Sequence, residues 1–276
     1  MKERKFPVCL TFDVDCQTIW TARDIGYLKK PVMLSLGNYG AYEGVPRILR
    51  IMEKYGVKGT FNVPGQVADL FPQTILDIYN AGNELGNHSY YHTWPENFKT
   101  KEEEAEEYIR GSARLKELTG EAPKGFRSPA WEYSEWTCDI LEEMGIIYSS
   151  NMMHTEKIHQ LEVFGQKRKL IEFPIHWAMD DAAYWLYSTK LTGKAMQPLD
   201  AVEQVFTTTF DVLYDEWKNV PGREDTVYVL TCHPQVIGIP ARAQVLDHVI
   251  DHIRKCPDVE FIRMGDLAER YLYLIQ

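Results

Sequence analysis

The sequence predicts an α/β protein built as a (β/α) barrel of seven or eight strands, TIM-barrel-like but distorted. Three observations predict it. Short apolar runs alternate with helical patterns from end to end, an order that calls for a parallel sheet with helices outside. The chain has 276 residues, an ordinary size for one such barrel. No Gly/Ser/Pro-rich linker, internal repeat or low-complexity tract divides it, so residues 1–276 read as a single domain.

Each element has its own signal. Val8 to Phe12 is a short apolar run and reads as the first strand. Gln17 to Gly44, rich in Gly, Tyr and Leu, exceeds an ordinary βα connection and suits a lid. Val45 to Tyr55 places Val45, Ile48, Leu49 and Met52 on one helical face and stops at Gly56. Val57 to Val63 is the next strand. Gln73 to Asn80 is helical and ends near Gly82. Glu84 to Asn87 is a short strand leading into His88. Glu102 to Thr119 is a long amphipathic helix closed by Gly120. Gly125 to Arg127 is strand-like, and Trp136 to Met144 is a helix stopped by Gly145. Ile146 to Ser149 and Leu170 to Pro174 are strands, and Asp200 to Lys218 is a helix. Thr226 to Cys232 is a strand rich in β-branched and aromatic residues. Ala241 to Lys255 (helix), Val259 to Arg263 (strand) and Asp266 to Leu274 (helix) complete the pattern.

Composition narrows the function. Hydrophobic residues make up 45% and charged residues 25%, as in a globular protein with a sizeable core. A net charge of -10 without a basic patch argues against a nucleic-acid partner. Lys101-Glu102-Glu103-Glu104 with Glu106 and Glu107 reads as a solvated helix face. Met1 to Lys5 shows no apolar leader segment, and no stretch approaches the ~20 apolar residues of a membrane span. The five cysteines are scattered, odd in number and free of C-x-x-C pairs. That pattern suits a reducing cytoplasm, so a cytoplasmic protein without a membrane partner is expected. Cys16, beside Asp15, reads as a small buried hydrophobe.

Chemistry concentrates in a few places. Thr11-Phe12-Asp13-Val14-Asp15 ends the first strand, and His88-Ser89-Tyr90-Tyr91-His92 follows another. Two histidines four apart, with one of the aspartates, form a facial set for a divalent metal. Such a set leaves positions open for water and substrate, which points to catalysis. Arg127, the pair Asp180 and Asp181, and His233 also follow strands. All fall at strand carboxyl ends, the face where barrels build their sites, whereas chance would scatter them to both ends. Trp94, Trp131, Trp177 and Trp185 follow strands too; each suits either a pocket wall or ordinary packing. Tyr271 to Ile275 and Tyr184 to Tyr187 suit a homo-oligomer interface or internal packing equally.

Taken together these residues resemble the polysaccharide deacetylase family, also called NodB-homology or carbohydrate esterase family four. Thr11-Phe12-Asp13-Val14-Asp15 is similar to its Thr-Phe-Asp-Asp motif. His88-Ser89-Tyr90-Tyr91-His92 matches its His-Ser/Thr-x-x-His motif. Arg127-Ser128-Pro129 resembles Arg-x-Pro, and Leu230-Thr231-Cys232-His233 resembles Leu-x-His. Asp180 or Asp181, near Trp177, stands as the counterpart of the remaining motif. The resemblance implies that Asp15, His88 and His92 bind one divalent metal, zinc. It implies Asp13 as general base, Arg127 as its orienting partner and His233 as general acid, tuned by Asp180 or Asp181. Trp131, Trp94 and Trp177 are the expected substrate contacts.

The implied activity is hydrolysis of amide bonds other than peptide bonds, releasing acetyl from N-acetylated sugars. Two departures, Val14 between the aspartates and Ala130-Trp131 after Pro129, resemble a branch that includes intracellular enzymes of small cyclic amides. An imidase- or allantoinase-like amidase is therefore the alternative expectation. A barrel that binds a sugar or small ligand without turnover is a third.

Overall fold

A computed structural model describes residues 4–187 and 196–276; Met1, Lys2 and Glu3, part of the N-terminal reading above, lie outside the described residues. Strand β1 (Phe6–Asp13) is buried along its whole length, as a strand covered on both faces must be. Its side chains alternate. Phe6, Val8, Leu10 and Phe12 pack outward under the helices, with Phe6 edge-on to Phe210 and Tyr214. Cys9, Thr11 and Asp13 therefore point the other way, into the barrel.

β1 pairs in parallel with β2 (Thr60–Val63) and with β8 (Tyr228–Cys232). The sheet continues from β2 through β3 (Glu84–Asn87), β4 (Gly125–Phe126) and β5 (Tyr148–Ser149) to β7 (Gln166–Glu172). β6 (His159–Val163) adds an antiparallel edge to β7, and β9 (Val259–Phe261) pairs with the start of β1. The order is β6-β7-β5-β4-β3-β2-β1-β8 in a nine-stranded sheet. The sheet curls into an incomplete barrel. The ends of that order, β6 and β8, are not joined by a strand ladder among the described residues; two isolated bridges, Lys157 to Thr226 and Asp180 to Thr231, link the two sides. The distorted α/β barrel expected from the sequence is present, with one extra edge strand.

The long helices follow the apolar pattern: Val45–Tyr55, Pro72–Asn80, Lys101–Thr119, Leu199–Asn219 and Pro240–Ile253. None of the described helices is long and apolar enough to cross a membrane.

Gln17 to Gly44, longer than an ordinary βα connection, is largely helical. It holds helices Thr18–Thr21 and Pro31–Tyr39, a 3₁₀ turn Ile25–Lys29, and a π turn Gly40–Gly44 that runs into the next helix. Glycine is needed at its end: a Cβ on Gly44 would stand 2.2 Å from the carbonyl oxygen of Pro234. The stretch thus presses on the turn that carries His233. One sequence reading needs correction: the acidic run is not wholly solvated. Glu104 and Glu107 are buried, on the same helical face as Tyr108, Gly111 and Leu115. In the apolar tail Tyr271, Leu272 and Ile275 lie partly buried against the core, as does Tyr184, while Tyr273 and Tyr187 are exposed. Trp185 is likewise core, its Nε1–H donating to the carbonyl of Gln197, and not a pocket wall.

Candidate active site

Every sequence-singled polar residue except Asp180 meets its neighbours directly at the carboxyl ends of the strands. The register puts Asp13 beside Asn62, and His88 follows β3 with its backbone N–H on Val63. Arg127 follows β4 with its N–H on Asn87, and His233 follows β8. Parallel strands in register thus deliver residues 120 or more apart in sequence to one rim.

Asp15, His88 and His92 form a set able to hold a metal ion. Asp15 Oδ1 lies 3.3 Å from His88 Nε2 and 3.6 Å from His92 Nε2. Two ligands about 2.1 Å from one ion at the tetrahedral angle stand about 3.4 Å apart, so the spacing fits zinc. The chemistry of the donors fits as well. Asp15 Oδ1 is buried without a hydrogen-bond partner, a costly state for a carboxylate unless a cation meets it. His88 Nδ1 is 2.6 Å from the carbonyl oxygen of Arg127 and donates to it, which leaves the Nε2 lone pair facing Asp15. Burial pushes the His92 imidazole down to about 4, the neutral ligand form, whereas at His88 burial is outweighed by Asp15 and Asp13, which raise it.

The ligand loop is held from below. Ser89 (φ 63°) and His92 (φ 65°) adopt left-handed backbone, uncommon for non-glycine residues and found where surroundings over-determine it. Those surroundings are polar. Asn87 Oδ1 accepts from the N–H of Ser89 (2.8 Å), and Ser89 Oγ accepts from the N–H of His92 (3.0 Å). The buried carboxylate of Glu107 accepts from the N–H groups of Tyr91 (2.9 Å) and Thr93 (3.2 Å).

Asp13 sits beside this set. Its Oδ1 accepts from Arg127 Nη1 (2.9 Å) and Asn62 Nδ2 (2.8 Å). Burial opposes its ionisation, but the Arg127 guanidinium outweighs that and holds the carboxyl below the usual range. Arg127 is itself fixed: Nη1 also donates to Thr11 Oγ1, Nη2 to Ser150 Oγ and Nε to the carbonyl of Ser150.

His233 approaches from the other side of β1, its Nε2 3.5 Å from Asp15 Oδ2. Its Nδ1 is 2.7 Å from Asp181 Oδ1, and both Asp181 oxygens accept from its backbone N–H at 3.0 Å. Asp180 Oδ1 is 3.4 Å from the same Nδ1 and caps the Asp181–Trp185 turn through the N–H of Ala182. Of the two candidate aspartates, Asp181 therefore makes the direct hydrogen bond and Asp180 contributes its charge. Burial would lower the His233 pKa, but Asp180 and then Asp181 outweigh it and raise it well above the usual histidine range.

These groups floor a cavity of about 740 Å³. Trp94, Trp131 and Trp177 all line it, as expected, with Trp131 and Trp177 stacked at 4.1 Å. Ala130 and Trp131 are left-handed (both φ 58°), which turns Ala130 to the cavity. Residues that sequence reasoning missed are Asn62, Ser150, Glu107, Trp20 and Arg23. Asn62 had a readable signal, being polar between Phe61 and Val63 in an apolar strand.

A family model described as polysaccharide deacetylase matches residues 2–149, more than half of the chain. A peptidoglycan deacetylase of Helicobacter pylori is 28% identical over 284 residues, covering 94% of each chain. A Mycobacterium smegmatis crystal structure assigned to the polysaccharide deacetylases matches with a TM-score of 0.89 at 29% identity, covering 98% of this chain and 91% of that one. An allantoinase structure matches with a TM-score of 0.78 at 20% identity over 98% of this chain and 91% of that one, a likeness of fold alone. The ordered motifs, the incomplete barrel and the family model agree: the chain belongs to the polysaccharide deacetylase family, hydrolases of carbon–nitrogen bonds other than peptide bonds.

Proposed function

We propose that this chain is a zinc-dependent deacetylase of N-acetylated sugars, with Asp15, His88 and His92 as the metal ligands. The observation that carries the reading is the orphaned, buried Asp15 Oδ1 facing two imidazole Nε2 atoms, with Asp13 and His233 flanking it. A zinc ion bound there would polarise the amide carbonyl and acidify a water molecule.

The chain's own residues supply the rest. Asp13, kept ionised by Arg127, takes a proton from the attacking water. Ala130, which lines the cavity, would donate its backbone N–H to the oxygen that gains charge at the amide carbon. His233, kept protonated by Asp180 and Asp181, gives its Nε2 proton to the departing nitrogen. The C–N bond breaks, leaving acetate and a free amine. Positioned acid and base groups of this kind contribute typically 10²–10⁴-fold each. Trp131, Trp177 and Trp94 offer ring faces for a sugar.

A second reading, hydrolysis of a small cyclic amide, is favoured by the cavity's size and tryptophan walls, which suit a compact substrate. The five free cysteines support work in a reducing compartment, and the continuous sheet from β1 to β9 supports a single domain.

The test is metal content together with turnover. About one zinc per chain is expected in the parent, lost in His88→Ala and His92→Ala. Acetate release from N-acetylglucosamine oligomers supports the first reading, and ring opening of succinimide the second. Metal retained at parent level in both variants would sink the ligand assignment.

A further inference from the structure

Arg23 is an exposed cation at the active-site cavity, with Asp15 acting on it only from beyond ion-pair distance. It lines the cavity with Trp20 and Trp94. Its guanidinium rests on the Trp94 ring, 4.7 Å from the centroid. Among the described residues it has no carboxylate within ion-pair distance, and no other Lys or Arg side chain lines this cavity. Several acids line the same cavity, and two of them have other partners. Asp24 accepts from the N–H of Gly26 (2.8 Å), and Glu132 from the N–H of Tyr133 (3.1 Å).

The position is built. Trp94 stands two residues beyond His92. Arg23 follows helix Thr18–Thr21, whose Thr18 donates its Oγ1–H (2.6 Å) and N–H (2.9 Å) to the carbonyl of Asp15. Both halves of the Arg23–Trp94 pair are therefore tethered to metal-ligand residues. A stacked guanidinium keeps its edge donors for a ligand, and that fork matches a carboxylate. In a chain of net charge -10, a cation lining the cavity without an ion-pair partner among the described residues acts on anionic ligands more than on neutral ones.

We propose that Arg23 recognises an anionic group on the substrate, so that this site takes amides that also carry a carboxylate. The inference rests on reading the cavity as the hydrolytic site, but it concerns recognition and is tested by binding as well as turnover. The carboxylate could belong to an acidic amino sugar or to an open-chain acid, and paired probes separate these. N-acetylmuramic acid differs from N-acetylglucosamine by its lactyl carboxylate. N-acetyl-β-alanine differs from its amide in the same way.

The experiment measures binding of the four probes to the zinc-loaded protein by quenching of tryptophan fluorescence, and their deacetylation by amine release. The expected result is tighter binding of the acidic member of at least one pair, with the acid-to-neutral ratio falling about tenfold or more in Arg23→Gln and partly restored in Arg23→Lys. The pair that shows the preference names the substrate class. Equal binding within both pairs, or a ratio unchanged in Arg23→Gln, overturns the proposal. A loss equal for acidic and neutral probes also overturns it, because it makes Arg23 a structural counter-ion. Acid-selective, Arg23-dependent binding without any turnover leaves this inference standing and sinks the hydrolytic reading. Turnover without acid preference does the reverse.

Discussion

Replacing Asp181 by asparagine should move the alkaline limb of the pH–rate profile downward. The limb reports loss of the proton on His233, whose Nδ1 is 2.7 Å from Asp181 and 3.4 Å from Asp180. Both carboxylates favour the charged imidazole, so the folded pKa is raised and activity extends to higher pH than an ordinary histidine allows. One opposite charge at this range shifts a pKa by about 1–3 units. Asp180 remains in the variant, so a fall of about 1–2 units is expected, equivalent to about 1.4–2.7 kcal/mol on the charged form. Asp181 also accepts the backbone N–H of His233, so the plateau rate should drop as well. Asp180→Asn should shift the limb with a smaller loss of plateau, because it does not make that bond. The assay is kcat/KM against pH on an acetylated oligomer, with circular dichroism to confirm folding. A folded Asp181→Asn protein with the parent's alkaline limb would refute the acid role of His233 or the source of its raised pKa.

Two further outcomes follow from the buried network. Arg127→Met strands the buried Asp13 carboxylate; a stability loss of about 3–5 kcal/mol is expected in urea unfolding, and any residual activity should lose its acid side first, since the Asp13 pKa rises and the base is protonated at higher pH. Glu107→Ala releases the N–H groups of Tyr91 and Thr93 without touching a ligand atom; zinc affinity by competition with a chelator should fall about 10–100-fold, and Glu107→Gln should recover part of it.

The legible parts of the chain were those in which one pattern carried one meaning. Helix Val45–Tyr55 and strand Glu84–Asn87 have the bounds their periodicity and glycine stops indicate. β6 was not legible. It joins β7 through Phe164 and Gly165, both at positive φ (52° and 73°), a two-residue hairpin turn that usually advertises itself with Asn or Asp first. Phenylalanine there hides the turn, and the strand ends that flank it are exposed or half-buried. The rim residues Asp13, Asp15, His88, His92, Arg127 and His233 were legible because polar groups directly after apolar strands are costly without a task. Glu107 was not: a glutamate among glutamates reads as solvent-facing, and only the inward face shared with Tyr108 and Leu115 distinguishes it. Ser150 and Asn62 act on Arg127 and Asp13 across strand pairings that no local pattern encodes.

The incomplete barrel and the chemistry are one construction. The seam between the β6–β7 side and β8 lacks a continuous ladder among the described residues, and one of its two isolated bridges joins Asp180 to Thr231, two residues before His233. The hydrogen bonds from His233 to Asp181 cross the same seam. Thr231 Oγ1 in turn lies 3.2 Å from Thr11 Oγ1, which accepts from Arg127, the partner of Asp13. A chain of buried polar contacts thus runs from the acid at the seam to the base inside the barrel. Seam width and acid–base separation are therefore coupled: a substitution that opens the seam moves His233 away from Asp13 before it unfolds the sheet. Polar side-chain contacts, rather than a regular strand ladder, link the two sides of the sheet at this point.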